Sequence, residues 1–107
     1  MQKDWTKEID SAILKAEVLK ALGHPTRLLM VEVLSQGERC VCELNELFEA
    51  DHSTISKHLT ILKQAGILSD RKEGLKVFYR LSCLCILDFL RSSNKTIEFR
   101  AIGDMAP

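Results

Sequence analysis

The sequence has no long hydrophobic run and no excess of charge of either sign. Among its 107 residues, 15 lysines and arginines balance 15 aspartates and glutamates, so the formal net charge is zero. No apolar segment approaches the roughly 20 residues that a membrane-spanning helix needs, and residues 1–5 lack the apolar stretch of a signal peptide. We therefore expect a cytoplasmic protein with no membrane partner.

The chain is also short for a protein that folds alone. A length of 107 residues predicts one domain with a modest core, to which a second copy would add useful burial. On size alone we expect a homodimer. The interpretable patterns define a domain over residues 1–93, while residues 94–107 form a tail whose order the sequence does not predict.

The cysteines lack the C-x-x-C spacing of thioredoxin-like motifs and zinc ribbons. Four cysteines occur as two C-x-C pairs, Cys40 with Cys42 and Cys83 with Cys85. In a cytoplasmic protein such thiols are expected to be reduced, metal-binding or redox-active rather than a disulfide framework.

Charge is segregated along the chain although its sum is zero. Residues 38–49 carry a net charge of −3, whereas residues 50–81 carry +3. A basic segment on an otherwise neutral chain is compatible with a nucleic-acid partner, because the distribution of charge matters more than the total.

The spacing of apolar residues and the turn signals predict five helices and one hairpin. The helices are expected over residues 5–21, from Pro25 to Gly37, over residues 41–48, from a cap at Asp51 or Ser53 to Gly66, and after a cap at Ser82 through Leu90. Residues 67–71 and 76–81 predict a hairpin with its turn at Gly74. This order predicts a mainly α winged helix-turn-helix fold with a small β-hairpin, whose first and last helices are available for dimerisation.

The fourth helix has a polar face opposite its apolar one. The polar residues are Ser53, Thr54, Ser56, Lys57, His58 and Thr60. Short hydrogen-bonding groups and a cation in the N-terminal half of such a helix are typical of contacts with base edges. An ordinary solvated helix face would look the same, but Arg71, Lys72 and Lys76 at the hairpin favour double-stranded DNA, because they lie where phosphates would be contacted.

The two C-x-C pairs raise a geometric question. Residues two apart in a regular helix point about 200° apart, so Cys40 and Cys42 converge only if the first precedes the helix. At a helix start, the helix N-terminus also favours thiolate. Soft thiolates select As(III), Sb(III), Cd(II), Pb(II), Zn(II) or Cu(I), although two buried small side chains are the alternative. For Cys83 and Cys85 we expect at least one to be buried.

Several segments together are similar to the arsenical-resistance repressor family (ArsR type) of winged-helix metalloregulators, over about residues 10–92. The segments are Leu22–Leu28, Cys40–Leu44, Ser53–Leu59, Asp70–Gly74 and Val77–Leu81. The resemblance implies a homodimer that is joined by its terminal helices and represses a resistance operon until a toxic ion binds.

The same resemblance implies that the C-V-C box, Cys40 to Cys42, binds the inducer. Arsenic sensors of this type often have a third cysteine three residues after the second, where this chain has Asn45. As(III) would then need an exogenous thiol, water or a distant cysteine. Cys83 and Cys85 fall where zinc sensors of the family have ligands, but Thr96 and Phe99 occupy the distal ligand positions.

The leading hypothesis is a DNA-binding repressor released when As(III) or Sb(III) binds Cys40 and Cys42. One alternative is a sensor of Cd(II), Pb(II) or Zn(II) that uses a second site at Cys83 and Cys85. Another is a redox sensor in which paired thiols oxidise to a disulfide. An enzyme is not expected, because the chain has no phosphate-binding loop, no C-x-x-C motif and no histidine evidently placed as a base for a cysteine.

Overall fold

A computed structural model describes residues 3–105 and contains five helices and three strands in that range. The elements in chain order are α1 (Thr6–Leu22), α2 (Pro25–Leu34), β1 (Arg39–Cys40), α3 (Val41–Phe48), α4 (His52–Gln64), β2 (Leu68–Glu73), β3 (Lys76–Leu81) and α5 (Cys85–Met105). Helices α3 and α4 form the helix-turn-helix unit, and the β2–β3 hairpin forms the wing. The predicted winged-helix fold is confirmed.

The sheet has one strand more than the sequence predicted. Its order is β1-β3-β2, and both pairings are antiparallel. In the short pairing, Arg39 lies opposite Tyr79 and Cys40 lies opposite Phe78. The residues immediately before α3 are therefore joined by the sheet to the wing.

The core lies where α2, α3, α4 and the base of the wing meet. Its most fully buried side chains are Met30, Val31, Leu44, Ile55, Leu59, Leu62 and Leu68. The inward residues of α4 recur at the helical period, which is why this helix has one apolar face and one polar face. The core fixes the orientation of α4.

The terminal helices are poorly covered in the single chain. Within α1 only Ala21 and Leu22 are buried, and the predicted stripe from Trp5 to Leu19 is mostly exposed. The radius of gyration is 17.2 Å, whereas a compact domain of this size has about 13 Å. A helix whose apolar stripe stays mostly exposed in the single chain indicates a missing partner surface.

Several predicted boundaries need correction. Helix α1 begins at Thr6 rather than at residue 5, and α2 ends at Leu34 rather than continuing to Gly37. Ser82 does not cap the last helix, because its N–H donates to the Ile67 carbonyl (2.9 Å) and α5 begins at Cys85. Helix α5 continues through Met105, into the tail whose order the sequence did not predict.

None of the helices in the described part of the chain combines the length and the hydropathy needed to cross a bilayer.

Candidate nucleic-acid interface and thiol sites

Helix α4 begins at a well-formed cap. The Asp51 carboxylate accepts hydrogen bonds from the Thr54 N–H (2.7 Å) and the Ser53 hydroxyl (3.0 Å). The hydrogen bonds from Thr54, followed by the one from Ser53, lower the pKa of Asp51. The cap keeps the first turn of α4 ordered at the end of the helix that carries the polar face.

Most of the predicted DNA-contacting residues of α4 point away from the core. Ser53, Thr54, Lys57 and Thr60 are exposed, and Ser56 is half-buried with its hydroxyl 3.3 Å from the His52 Nε2. The structure thus brings five of the six predicted side chains onto one accessible surface.

The structure differs from the sequence prediction at His58. Its ring is half-buried, its Nδ1 lies 3.2 Å from the Arg27 Nη1, and its centroid lies 4.6 Å from that of His24. The side chain therefore lies against the start of α2 instead of on the outward face with Lys57. Burial, followed by the charges of His24, Arg27 and Lys57, lowers the pKa of His58.

The cations of the wing differ in whether a carboxylate already pairs with them. Lys72 and Lys76 are exposed at the hairpin end, beside the fully exposed Leu75. Arg71 instead pairs with Glu38 (2.6 Å) and Glu73 (2.7 Å), and its guanidinium lies 4.5 Å from the Phe78 ring centroid. The hydrogen bond to Glu73 is the main cause of the raised pKa of Arg71. Much of the Arg71 charge is thus compensated, whereas Lys72 and Lys76 form no ion pair within residues 3–105.

Cys40 and Cys42 meet at the start of α3, as the spacing predicted. Cys40 is the N-cap, with its Sγ accepting from the Glu43 N–H (3.3 Å) while the Glu43 carboxylate accepts from the Cys40 N–H (3.3 Å). This is a capping box with cysteine in the place usually taken by serine or threonine. Cys40 is buried and Cys42 is exposed.

The two cysteines of each pair are adjacent in the structure. The structure joins Cys40 to Cys42 and Cys83 to Cys85 as disulfides, with 5.3 Å between the Cα atoms of each pair. Both pairs of sulfurs are therefore close enough to act together, and metal binding at either pair would first require reduction.

A surface cleft of about 220 Å³ connects the Cys40–Cys42 pair to the wing. It is lined by Cys40, Val41, Cys42, Asn45, His52, Leu75, Lys76 and Val77. Asn45, at the position of the third cysteine in arsenic sensors, has its Nδ2 3.3 Å from the His52 Nδ1, and its buried Oδ1 has no hydrogen-bond partner in the described structure. Among the side chains of residues 3–103, no three of His, Cys, Asp or Glu are grouped to hold one ion.

Cys83 and Cys85 lie on the surface just before and at the start of α5. Both are exposed in the single chain, so the core of one subunit buries neither of them, and the expected burial of at least one stays a prediction for the dimer. The Cys85 N–H donates to the Cys83 Sγ (3.3 Å). Cys85 also borders an apolar groove of about 380 Å³ between α1 and α5, formed with Val18, Leu19, Leu22, Ile86 and Phe89.

Two residues that sequence reasoning did not single out join these parts together. Glu38 connects the segment before β1 to the wing through Arg71, and Arg27 connects the end of α1 to α4 through His58. Glu38 belongs to the acidic segment and Arg71 to the basic one, so the segregation of charge along the sequence could have indicated this ion pair. For Arg27 the only signal was its presence in the segment Leu22–Leu28.

The chain matches the model for "Bacterial regulatory protein, arsR family" over residues 24–70. It is 48% identical over 65 residues to an uncharacterised helix-turn-helix transcriptional regulator of Methanocaldococcus jannaschii, covering 60% of this chain and 73% of that one. It is 44% identical over 73 residues to the arsenical resistance operon repressor of Escherichia coli, covering 67% and 62% of the respective chains.

A third relative is named for a different metal. The chain is 46% identical over 81 residues to a cadmium resistance transcriptional regulatory protein homolog of Staphylococcus aureus, covering 75% of this chain and 65% of that one. The matches thus span roughly two thirds of the length of these relatives. All of the relatives are regulators rather than enzymes.

The fold is similar to that of a homodimeric winged helix-turn-helix DNA-binding domain of Mycobacterium bovis. The TM-score is 0.79 at 26% identity, with coverage of 92% of this chain and 91% of the other.

Proposed function

The chain belongs to the arsR family of bacterial regulatory proteins, and we propose that it is a homodimeric repressor released from operator DNA when As(III) or Sb(III) binds Cys40 and Cys42. The observation that carries the proposal is the position of Cys40: it caps α3 of the helix-turn-helix unit and also lies in the sheet that contains the wing, with Cys42 beside it in the first turn of α3.

The proposed DNA surface consists of the polar face of α4 and the end of the wing. Ser53, Thr54, Ser56, Lys57 and Thr60 would contact bases and nearby phosphates, and Lys72 and Lys76 would contact phosphates beside the groove. Arg71 contributes less than its charge suggests because two carboxylates already pair with it. A chain of zero net charge then binds DNA through local positive charge, and the affinity falls with salt.

The proposed dimer forms through α1 and α5. Their exposed apolar residues include Ile9, Ile13 and Leu19 on α1 and Phe89 and Ile97 on α5, each between 49% and 63% exposed in the single chain. Helix faces that remain in water are rarely this apolar, so the surface indicates a site of protein–protein interaction. A two-fold dimer would place two copies of α4 for two half-sites of an operator.

Reduced Cys40 and Cys42 would hold the inducer as soft thiolate ligands, for which As(III) and Sb(III) are well suited. Because Cys40 also caps α3, drawing its sulfur toward an ion competes with the hydrogen bond from Glu43. Because Cys40 lies opposite Phe78 in the sheet, and Glu38 pairs with Arg71, the same movement changes the support of the wing. A coupling of a few kcal/mol between the two sites is sufficient for regulation.

A second candidate uses the other pair of cysteines. Cys83 and Cys85 are both exposed beside the α1–α5 groove, so Cd(II), Pb(II) or Zn(II) bound there would act on the dimer interface. Oxidation of either pair is a related possibility, because the sulfurs of each pair are adjacent. Under each of these proposals the protein binds DNA, and we therefore propose a cytoplasmic location.

The test is release of the reduced protein from DNA taken from upstream of its own gene, followed by fluorescence anisotropy. We expect release by As(III) or Sb(III), with no effect of Cys83→Ser/Cys85→Ser. Release by Cd(II), Pb(II) or Zn(II) alone that is lost in this double variant would support the second site. Release by an oxidant without any metal, reversed by dithiothreitol, would support redox sensing instead.

A further inference from the structure

Arg27 joins three elements around the base of α4. Its Nε donates to the Ala21 carbonyl (2.5 Å) and its Nη2 to the Lys20 carbonyl (3.4 Å), both at the C-terminal end of α1. Its Nη1 lies 3.2 Å from the Nδ1 of His58 on α4. Arg27 itself lies in the first turn of α2. Its side chain therefore links the start of α2 to the end of α1 and to the middle of α4.

The chemistry of this contact fixes the protonation state of His58. An arginine guanidinium has only donors, so the Nδ1 of His58 must accept and the ring must be neutral with its proton on Nε2. Protonation would place a second N–H against the guanidinium and a second positive charge beside it. The contact between Arg27 and His58 therefore exists only while His58 is uncharged.

Most of the charged groups around His58 favour its neutral state. Helix α2 and its cap provide Arg27 and His24, and α4 itself provides Lys57. On α1, Glu17 and Lys20 border the surface cleft beside Arg27, with Glu17 as the one acidic side chain there. Positive neighbours therefore predominate, and they act in the same direction as burial.

We propose that Arg27 is a positioning residue for DNA binding, holding α4 against the end of α1 through neutral His58. The contact joins the start of α2, which follows the proposed dimerisation helix α1, to α4, the helix proposed to contact DNA. This inference rests on the proposed DNA-binding function, and it assigns His58 to the support of α4 instead of to its DNA surface.

The proposal predicts an unusual dependence on pH. A histidine that faces DNA gains a positive charge in acid and strengthens binding to phosphates. A histidine whose neutral form supports α4 does the opposite. Because the pKa of folded His58 is lowered, its contribution is complete above the ordinary histidine value of about 6.5 and is lost as the pH falls through the lowered value.

The test compares operator affinity at about pH 7.5 and about pH 5.5, a range that spans ordinary histidine titration. The variants are Arg27→Lys, His58→Asn and His24→Asn. In His58→Asn the amide oxygen takes the place of Nδ1 and does not titrate. His24→Asn is the matched control, since His24 also accepts through Nδ1, from the Thr26 N–H (3.1 Å), and asparagine is a good N-cap.

We expect acid to weaken operator binding by the native protein and by His24→Asn, by up to about tenfold per pH unit, and to have much less effect on His58→Asn. Arg27→Lys keeps the charge but loses the planar guanidinium whose three nitrogens reach separate acceptors, so its affinity at about pH 7.5 should be roughly tenfold lower and should change little with acid. A purely structural role would lower the affinity without altering the pH profile.

Two outcomes would overturn the inference while leaving the function intact. One is parallel pH profiles for the native protein and His58→Asn. The other is a native affinity that rises in acid and no longer rises in His58→Asn, which would show a DNA-facing cation. If the native protein binds no operator DNA at either pH, the proposed function fails and this inference fails with it.

Discussion

The sharpest structural prediction concerns the sulfur of Cys40 as a helix cap. In the capping box the Cys40 Sγ accepts from the Glu43 N–H, while the Cys40 N–H donates to the Glu43 carboxylate. Serine is among the best N-cap residues and alanine among the poor ones. With Cys42→Ser in both, Cys40→Ser should therefore keep the cap of α3 and Cys40→Ala should lose it.

The two double variants differ by one oxygen atom at a buried position, so cavity effects are nearly matched. Loss of a capping side chain costs about 1 kcal/mol, with a range of about 0.5–2 kcal/mol. For a domain of this size, that difference corresponds to a midpoint of thermal unfolding about 4–8 °C lower. The hydrogen bond from the Cys40 N–H to Glu43 remains in both variants and does not contribute to the difference.

The measurement is thermal unfolding by circular dichroism in reducing buffer, at equal protein concentration because dimerisation also raises the midpoint. If the alanine variant unfolds at the same temperature as the serine variant, Cys40 does not act as a cap. The proposed competition between inducer binding and the start of α3 would then have no basis.

Three further predictions concern the wing, the core and the dimer. In the proposed dimer, Lys72→Ala combined with Lys76→Ala removes two cations from each subunit and should reduce the slope of log affinity against log salt by about 4; an unchanged slope would exclude phosphate contacts by these residues. Leu59→Ala, at a fully buried position of α4, should lower the free energy of unfolding by about 2–5 kcal/mol in urea denaturation. Phe89→Glu should convert the dimer to a monomer in sedimentation equilibrium, whereas Leu75→Glu at the wing tip should not; a dimeric Phe89 variant would place the interface elsewhere.

The elements predicted most accurately from the sequence are those defined by local chemistry. Helix α3 has the predicted bounds, and Asp51 caps α4 through its own carboxylate. Gly66 has a φ of +82° immediately after α4, a conformation that glycine adopts without a Cβ penalty. In each case the deciding interactions lie within a few residues along the chain.

The features that the sequence did not predict depend on contacts between distant residues. Strand β1 has two residues, too few for any periodicity, and exists because Cys40 lies opposite Phe78. The orientation of His58 depends on Arg27, which helical periodicity on α4 cannot reveal. Ile97 and Ile102 near the end of α5 are both exposed and do not form part of a buried apolar face. The sequence there has no clear amphipathic pattern, so periodicity did not predict a helix.

In the candidate site, too, the local features were predicted and the long-range ones were not. The C-x-C spacing predicted that Cys40 and Cys42 converge at a helix start, and they do. The cleft that joins them to Leu75 and Lys76 of the wing could not be predicted, because it depends on how the hairpin packs against α3.

The most direct test of the central claim is the effect of As(III) on the complex of the reduced protein with DNA from upstream of its own gene, measured by anisotropy. The native protein is compared with Cys40→Ser/Cys42→Ser, which keeps the capping geometry but has no thiolate at the site. The account predicts that both bind the DNA and that As(III) releases only the native protein. Release of both proteins by As(III), or of neither, would contradict it.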